Sequence, residues 1–124
     1  MQKSAIQKNG EDLALTVLRA THGWERMRGL LGHRQLPPNQ AMFLAPGASI
    51  HTWFMRFSID LVFVDRPLSI TRIIPNVPPW RMAFGGRNAW GVLEMAAGAA
   101  DAFSLTVGDV LTFSEFASVQ ENAI

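Results

Sequence analysis

At 124 residues, with 48% apolar and 17% charged side chains, the chain is long enough to bury one self-supporting core and too apolar for global disorder. A formal net charge of +1 provides no field that would gather nucleic acid or an anionic membrane, although the basic residues are nine Arg against two Lys, and Arg suits carboxylate and phosphate forks. The lack of Cys excludes disulfides, thiolate metal sites, thiol nucleophiles and iron–sulfur clusters. No apolar h-region opens the sequence, and no apolar run approaches the ~18 residues of a membrane span. A cytoplasmic location is therefore the default expectation, with the cell envelope open if a native leader has been removed.

In chain order, residues 1–10, "MQKSAIQKNG", are polar and are expected to fray as a flexible N-terminal segment. Residues 11–118 are expected to form a single globular β-rich domain, and 119–124 a C-terminal tail. "DLALTVLRA" (12–20) sets Leu13, Leu15 and Val17 against Ala14, Thr16 and Leu18, the period of a strand. Over 22–31 the period changes: Trp24, Met27 and Leu31 fall at helical spacing, with Thr21 as N-cap and Gly32 as stop, which predicts a short amphipathic helix. Further strands follow at 41–45, 49–57 and 60–65. Another lies at 68–77, where Pro75 limits pairing, and the last lie at 89–97 and within 106–116. "PPWRMAFGGRN" (78–88) reads as the longest loop, and "GAADAFSL" (98–105) allows one helical turn. About six to eight short strands with turn signals between them predict a mainly β fold, a compact distorted barrel or jelly-roll-like sandwich.

The stretch "HTWFMRFSIDLVFVD" (51–65) carries the polar residues that require explanation. By a period of two, His51, Trp53, Met55 and Phe57 share a face, and Asp60 shares one with Val62 and Val64. An ionised carboxylate at Asp60 is costly unless it is paired or hydrogen-bonded. Arg56, four residues back across a bend at Phe57–Ser58, is one partner, and backbone N–H groups of the turn are another. Asp60 is thus either a fastener or part of a site. Glu94, with Val92 and Ala96 on its face, raises the same question, with Arg28, Arg56 and Arg87 as partners. "VGDVL" reads as a turn, with Gly108 at positive φ and Asp109 bonding its own backbone two residues on. His22, His33 and His51 match no metal spacing, so no metal and no cofactor are expected. Trp80, in the Gly/Pro loop, is the aromatic expected to be exposed, while Trp24, Trp53 and Trp90 are expected in the core. One short basic helix with no second helix at helix-turn-helix spacing argues against a nucleic-acid reader.

The blocks "RMRGLLGHRQLPPNQAMFLAP", "HTWFMRFSIDLVFVD" and "GVLEMAAGAADAFSLTVGDVL", in this order and spacing, resemble the bacterial and archaeal family called domain of unknown function 192, over about residues 19–114. The resemblance implies a small, mostly β fold of a distorted barrel or jelly-roll kind with one short helix, and it does not imply an activity. Its motif positions fall here on Arg28, Gly29, His51, Met55, Arg56, Asp60, Glu94, Gly108 and Asp109. Ser58 stands where the family often has Pro.

Three functional readings follow. The first is a non-enzymatic binding or accessory domain with a polar cleft built by Arg56, Asp60, His51 and Arg28 and flanked by Trp80. Its ligand would be a small polar molecule, a saccharide or a protein segment. The second is a small hydrolase or lyase with Asp60 or Glu94 as general base and His51 as partner. The third is a purely structural or interaction protein whose carboxylates fasten turns.

Overall fold

The computed structural model describes residues 2–20, 36–47, 49–53 and 55–115. The helix expected over 22–31, and with it Arg28, lies outside the described residues, as does the tail at 119–124. The described residues form nine strands and one short helix: β1 (Gln2–Lys8), β2 (Glu11–Ala20), β3 (Gln40–Leu44), β4 (Ser49–His51), β5 (Ile59–Val64), β6 (Ile70–Val77), β7 (Met82–Phe84), β8 (Gly91–Ala96), α1 (Ala99–Ala102) and β9 (Leu111–Glu115). Seven strands make one mixed sheet in the order β6-β5-β8-β3-β2-β1-β9, and β4 and β7 form a separate ribbon. The β2–β3 pair is parallel; the other pairs are antiparallel.

The N-terminal residues expected to fray instead form β1, paired with β2 on one edge and β9 on the other. Asn9 (φ 50°) and Gly10 (φ 87°) make the tight hairpin turn that closes β1 onto β2. Both central residues have positive φ, which the Asn-Gly pair tolerates and which matches the twist of the flanking strands. Ile6 and Ser4 turn inward while Lys3 stays in water, so a strand with mostly polar residues still buries one face.

Residues in register share a face, and two adjacent rows define the two sides of the sheet. Ser4, Val17, Ala41, Met95 and Asp60 run across five strands on one side. Leu18, Met42, Glu94, Leu61 and Ile74 form the next row, on the other side. The first side carries a core of Ile6, Leu15, Val17, Val62, Leu93 and Met95, closed by Ala99 and Ala100 of α1. The second carries Met42, Leu44, Ile59, Leu61, Phe63 and Val92, covered by Ile50 and Ala83 of the ribbon. Buried on both faces, β5 is apolar at every position but one, and each fully buried Leu, Ile or Phe contributes roughly 1.5–3 kcal/mol.

The architecture is mainly β and sandwich-like, and the sheet is not closed into a barrel. Its edges approach at one end: Ser69 bridges Val110, Ile70 N–H donates to Asp109 O, and Leu111 N–H donates to Leu68 O. Pro75 lies on β6, the edge strand, where a missing N–H leaves no gap in a ladder. The strand expected over 49–57 stops at His51. Thr52 O accepts the Met55 N–H at 3.2 Å, which turns the chain and ends the period of two. Conversely, the expected loop at 78–88 contains β7, and the helical turn expected within 98–105 is α1. Among the described residues no helix is long and apolar enough to cross a membrane.

Candidate functional site

Asp60 is 1% exposed and its carboxylate is fully engaged by backbone. Between the pairs Leu61–Ile74 and Ile59–Val77, Asp60 alone opposes Pro75 and Asn76, which is a β-bulge. The bulge takes the Asn76 N–H out of the ladder, and Asp60 Oδ1 accepts it at 2.9 Å. Oδ2 accepts the N–H groups of Gly98, at 3.1 Å, and Ala100, at 2.9 Å. Gly98 is the N-cap of α1 and has no side chain to satisfy the helix's first N–H groups, so Asp60 caps α1 from a distant strand. Of the two expected partners, Arg56 is exposed and does not pair with Asp60; backbone N–H groups hold it, but those of Asn76, Gly98 and Ala100 and not those of the 57–58 bend.

Glu94 is equally buried and lies on the other side of the sheet, in register with Met42 and Leu61. His51 lies on the ribbon. Ile50 and its partner Ala83 face the sheet, so His51 and its partner Met82 occupy the ribbon's outer face. The His51 ring lies against Trp53 with centroids 5.0 Å apart and planes tilted by 38°, and its Nδ1 is buried with no hydrogen-bond partner among the described residues. The structure therefore does not bring His51 together with Asp60, which stands across the sheet from the ribbon.

What the fold does assemble is a surface on the ribbon. Thr52, fully buried, anchors the 78–81 turn: its Oγ1 donates to Pro78 O at 2.7 Å and accepts the Arg81 N–H at 2.9 Å. The Thr52 backbone adds a bond to Arg81 O, and its carbonyl accepts the Trp80 N–H. Held in this way, Trp53, Trp80, Met82 and Phe84 are 44, 58, 55 and 56% exposed. Trp53 was expected in the core; the turn at Thr52 swings it out. Trp90, by contrast, packs on the first core beside Phe43, with the Arg66 guanidinium 5.4 Å from its ring centre. A groove of about 380 Å³ runs between β6 and β7, lined by Arg72, Ile74, Pro75, Arg81, Met82 and Phe84 among others.

The comparison with known families bears on most of the chain. The model of the family DUF192, described as "Uncharacterized ACR", matches residues 4–113. The chain belongs to the DUF192 family. A UPF0127 protein of Pyrococcus furiosus is 28% identical over 110 residues, covering 85% of this chain and 92% of its own length. Another, from Thermococcus sibiricus, is 31% identical over 94 residues, covering 69% of this chain and 58% of its own. Two crystal structures share the fold. A proposed transcription regulator from Sinorhizobium meliloti 1021 has a TM-score of 0.79 and 23% identity, covering 90% of this chain and 93% of its own. A protein of unknown function from Novosphingobium aromaticivorans has a TM-score of 0.73 and 18% identity, covering 89% and 83%.

Of the DUF192 motif positions in the described residues, Asp60 and Asp109 have legible structural tasks. Asp109 Oδ2 accepts the Thr106 N–H at 2.9 Å, and its Oδ1 accepts the Asn9 amide at 3.0 Å. The Thr106 N–H first and the Asn9 amide second hold its carboxyl below the ordinary aspartate value. The bond runs three residues back, not onward, and Gly108 at φ 99° makes the turn possible. Sequence reasoning passed over Thr52 as an anchor, although "HT" opens the family's central block. Arg72 was also missed, and no local signal marks it. Among the described residues no cluster of three or more His, Asp or Glu could hold a metal.

Proposed function

We propose that this DUF192 chain is a non-enzymatic binding or accessory module whose contact surface is the outer face of the β4–β7 ribbon and the groove beside it. One observation carries the reading: in β7 the small Ala83 packs inward, while its large neighbours Met82 and Phe84 face water. A strand made only to cover a core would have the opposite pattern, because burying Met and Phe stabilises more than burying Ala. Exposed apolar patches of this kind mark interaction surfaces. Two further observations lend support. The ribbon is anchored by Thr52, so the surface is preorganised. The acids that would serve a hydrolase or lyase lie on opposite sides of the sheet, and Asp60 has each carboxylate oxygen committed to backbone.

The test separates a contact surface from a structural one. The double variant Met82→Ser/Phe84→Ser is unfolded thermally beside wild type. A melting temperature within about three degrees is expected for side chains that serve no packing. A fall on the order of ten degrees would assign both to the fold and leave the purely structural reading in place.

A further inference from the structure

We infer that the β6–β7 groove receives an extended, acidic-apolar segment of a partner polypeptide, seated by its side chains without adding a strand to the sheet. The inference rests on the binding-module reading and names the partner's chemistry. Among the described residues the groove has two cationic ones, Arg72 and Arg81, and no acidic one in its lining. Arg72 spans it: its Nη1 donates to Phe84 O at 3.0 Å, which leaves the rest of the guanidinium fork in the open groove. Arg81 Nη1 makes only a 3.4 Å contact with Trp80 O, so its fork also faces solvent. Between the two arginines, Ile74 and Pro75 form one wall and Met82 and Phe84 the other. Carboxylates at the arginines with apolar side chains between them complement this lining.

The backbone on the β6 side defines how the segment lies. β6 is a terminal strand of the sheet, the usual place for strand addition. Here β6 carries Pro75, which has no N–H, and Asn76, whose N–H turns away from the groove to Asp60. The ladder cannot be extended across these two residues, so recognition falls to the side chains. A second copy of this chain is a poorer occupant, because two-fold pairing of this face would set arginines against arginines.

The test is fluorescence anisotropy with a short labelled peptide alternating Glu with Leu or Val, beside the same peptide carrying Lys for Glu. Wild type should bind the Glu peptide more tightly by about tenfold, and raised salt should narrow the gap. Arg72→Glu/Arg81→Glu should invert the preference. Arg81→Glu alone, which disturbs only an exposed contact, should weaken the Glu peptide severalfold and keep the wild-type melting temperature. Equal binding of both peptides, binding of neither, or displacement of the Glu peptide by inorganic phosphate at equal concentration would each overturn the inference. The binding-module reading is tested separately, by the stability of the Met82/Phe84 variant, so a failure of this inference is distinguishable from a failure of that reading.

Discussion

Asp60 Oδ2 meets the Ala100 N–H at 2.9 Å across a sequence separation of 40 residues, while Oδ1 meets the Asn76 N–H at 2.9 Å on the neighbouring strand. One carboxylate thereby joins a bulged edge strand to the start of a helix. Asp60→Asn keeps the shape and offers one acceptor oxygen in place of two. With that oxygen toward Gly98 and Ala100, the amide NH2 meets the Asn76 N–H, donor against donor. A buried N–H left without an acceptor costs about 1–3 kcal/mol, and the lost charge on the remaining bonds adds to this. The expected result is a melting temperature lower by on the order of ten degrees. Amide exchange should rise first at Asn76. An unchanged melting temperature would remove the fastening role and return Asp60 to the list of site residues.

Thr52 gives a second prediction of the same kind. Thr52→Val is nearly isosteric and removes the hydroxyl that the Arg81 N–H and Pro78 carbonyl share. A loss of about 1–3 kcal/mol is expected in urea unfolding, since both backbone groups lose their partner. Thr52→Ser keeps the hydroxyl and should lose less. The Trp80 emission maximum should move toward that of free indole in the Val variant only, because the turn that holds it loosens.

Asp109 predicts a pH dependence. Its folded-state pKa is lowered by the Thr106 N–H and then by the Asn9 amide, so the unfolded chain binds a proton at higher pH than the folded chain does. The resulting stabilisation is present above the ordinary aspartate range, near pH ~3.9, and is lost as the pH falls through the lower folded value. Melting temperatures followed from neutral pH into this acid range should fall less steeply for Asp109→Asn than for wild type. A parallel decline would mean that Asp109 contributes nothing to the acid transition.

The periodic strands were legible because burial alone dictates their pattern. In β5, Ile59, Leu61 and Phe63 separate from Asp60, Val62 and Val64 as a period of two requires, and the two sets pack into different cores. Asp60 could be recognised as needing partners, but the partners could not be named, because backbone N–H groups of Asn76, Gly98 and Ala100 carry no side-chain signature. β1 was hidden by its polar side chains, although Asn9-Gly10 announced a hairpin. β7 was hidden for the reverse reason: its apolar residues face water, so the usual sign of a strand in a core is inverted. That inversion is what makes the ribbon the strongest candidate surface, and the places where pattern reading failed include the place where function is proposed.

Two glycines separate the steric and conformational roles of that residue. At Gly91, the first residue of β8, an added Cβ would come within 2.8 Å of the Phe43 ring and 2.9 Å of Leu44 O. Neither neighbour can withdraw easily: Leu44 O belongs to the β3 backbone, and Phe43 packs at 4.9 Å on Phe113 and 6.3 Å on Trp90. Gly91→Ala therefore overpacks the β3–β8 pair and should cost roughly 1–3 kcal/mol. At Gly10 nothing lies within 4 Å of an added Cβ, but φ is +87°, so Gly10→Ala carries only a backbone penalty of about 1–2 kcal/mol. Hydrogen exchange distinguishes the two. Gly91→Ala should raise exchange across β3, β8 and β5, which share one ladder, whereas Gly10→Ala should raise it only at the β1–β2 hairpin end. Equal, local effects in both variants would mean that the close approach of Phe43 to Gly91 is not a constraint on the sheet.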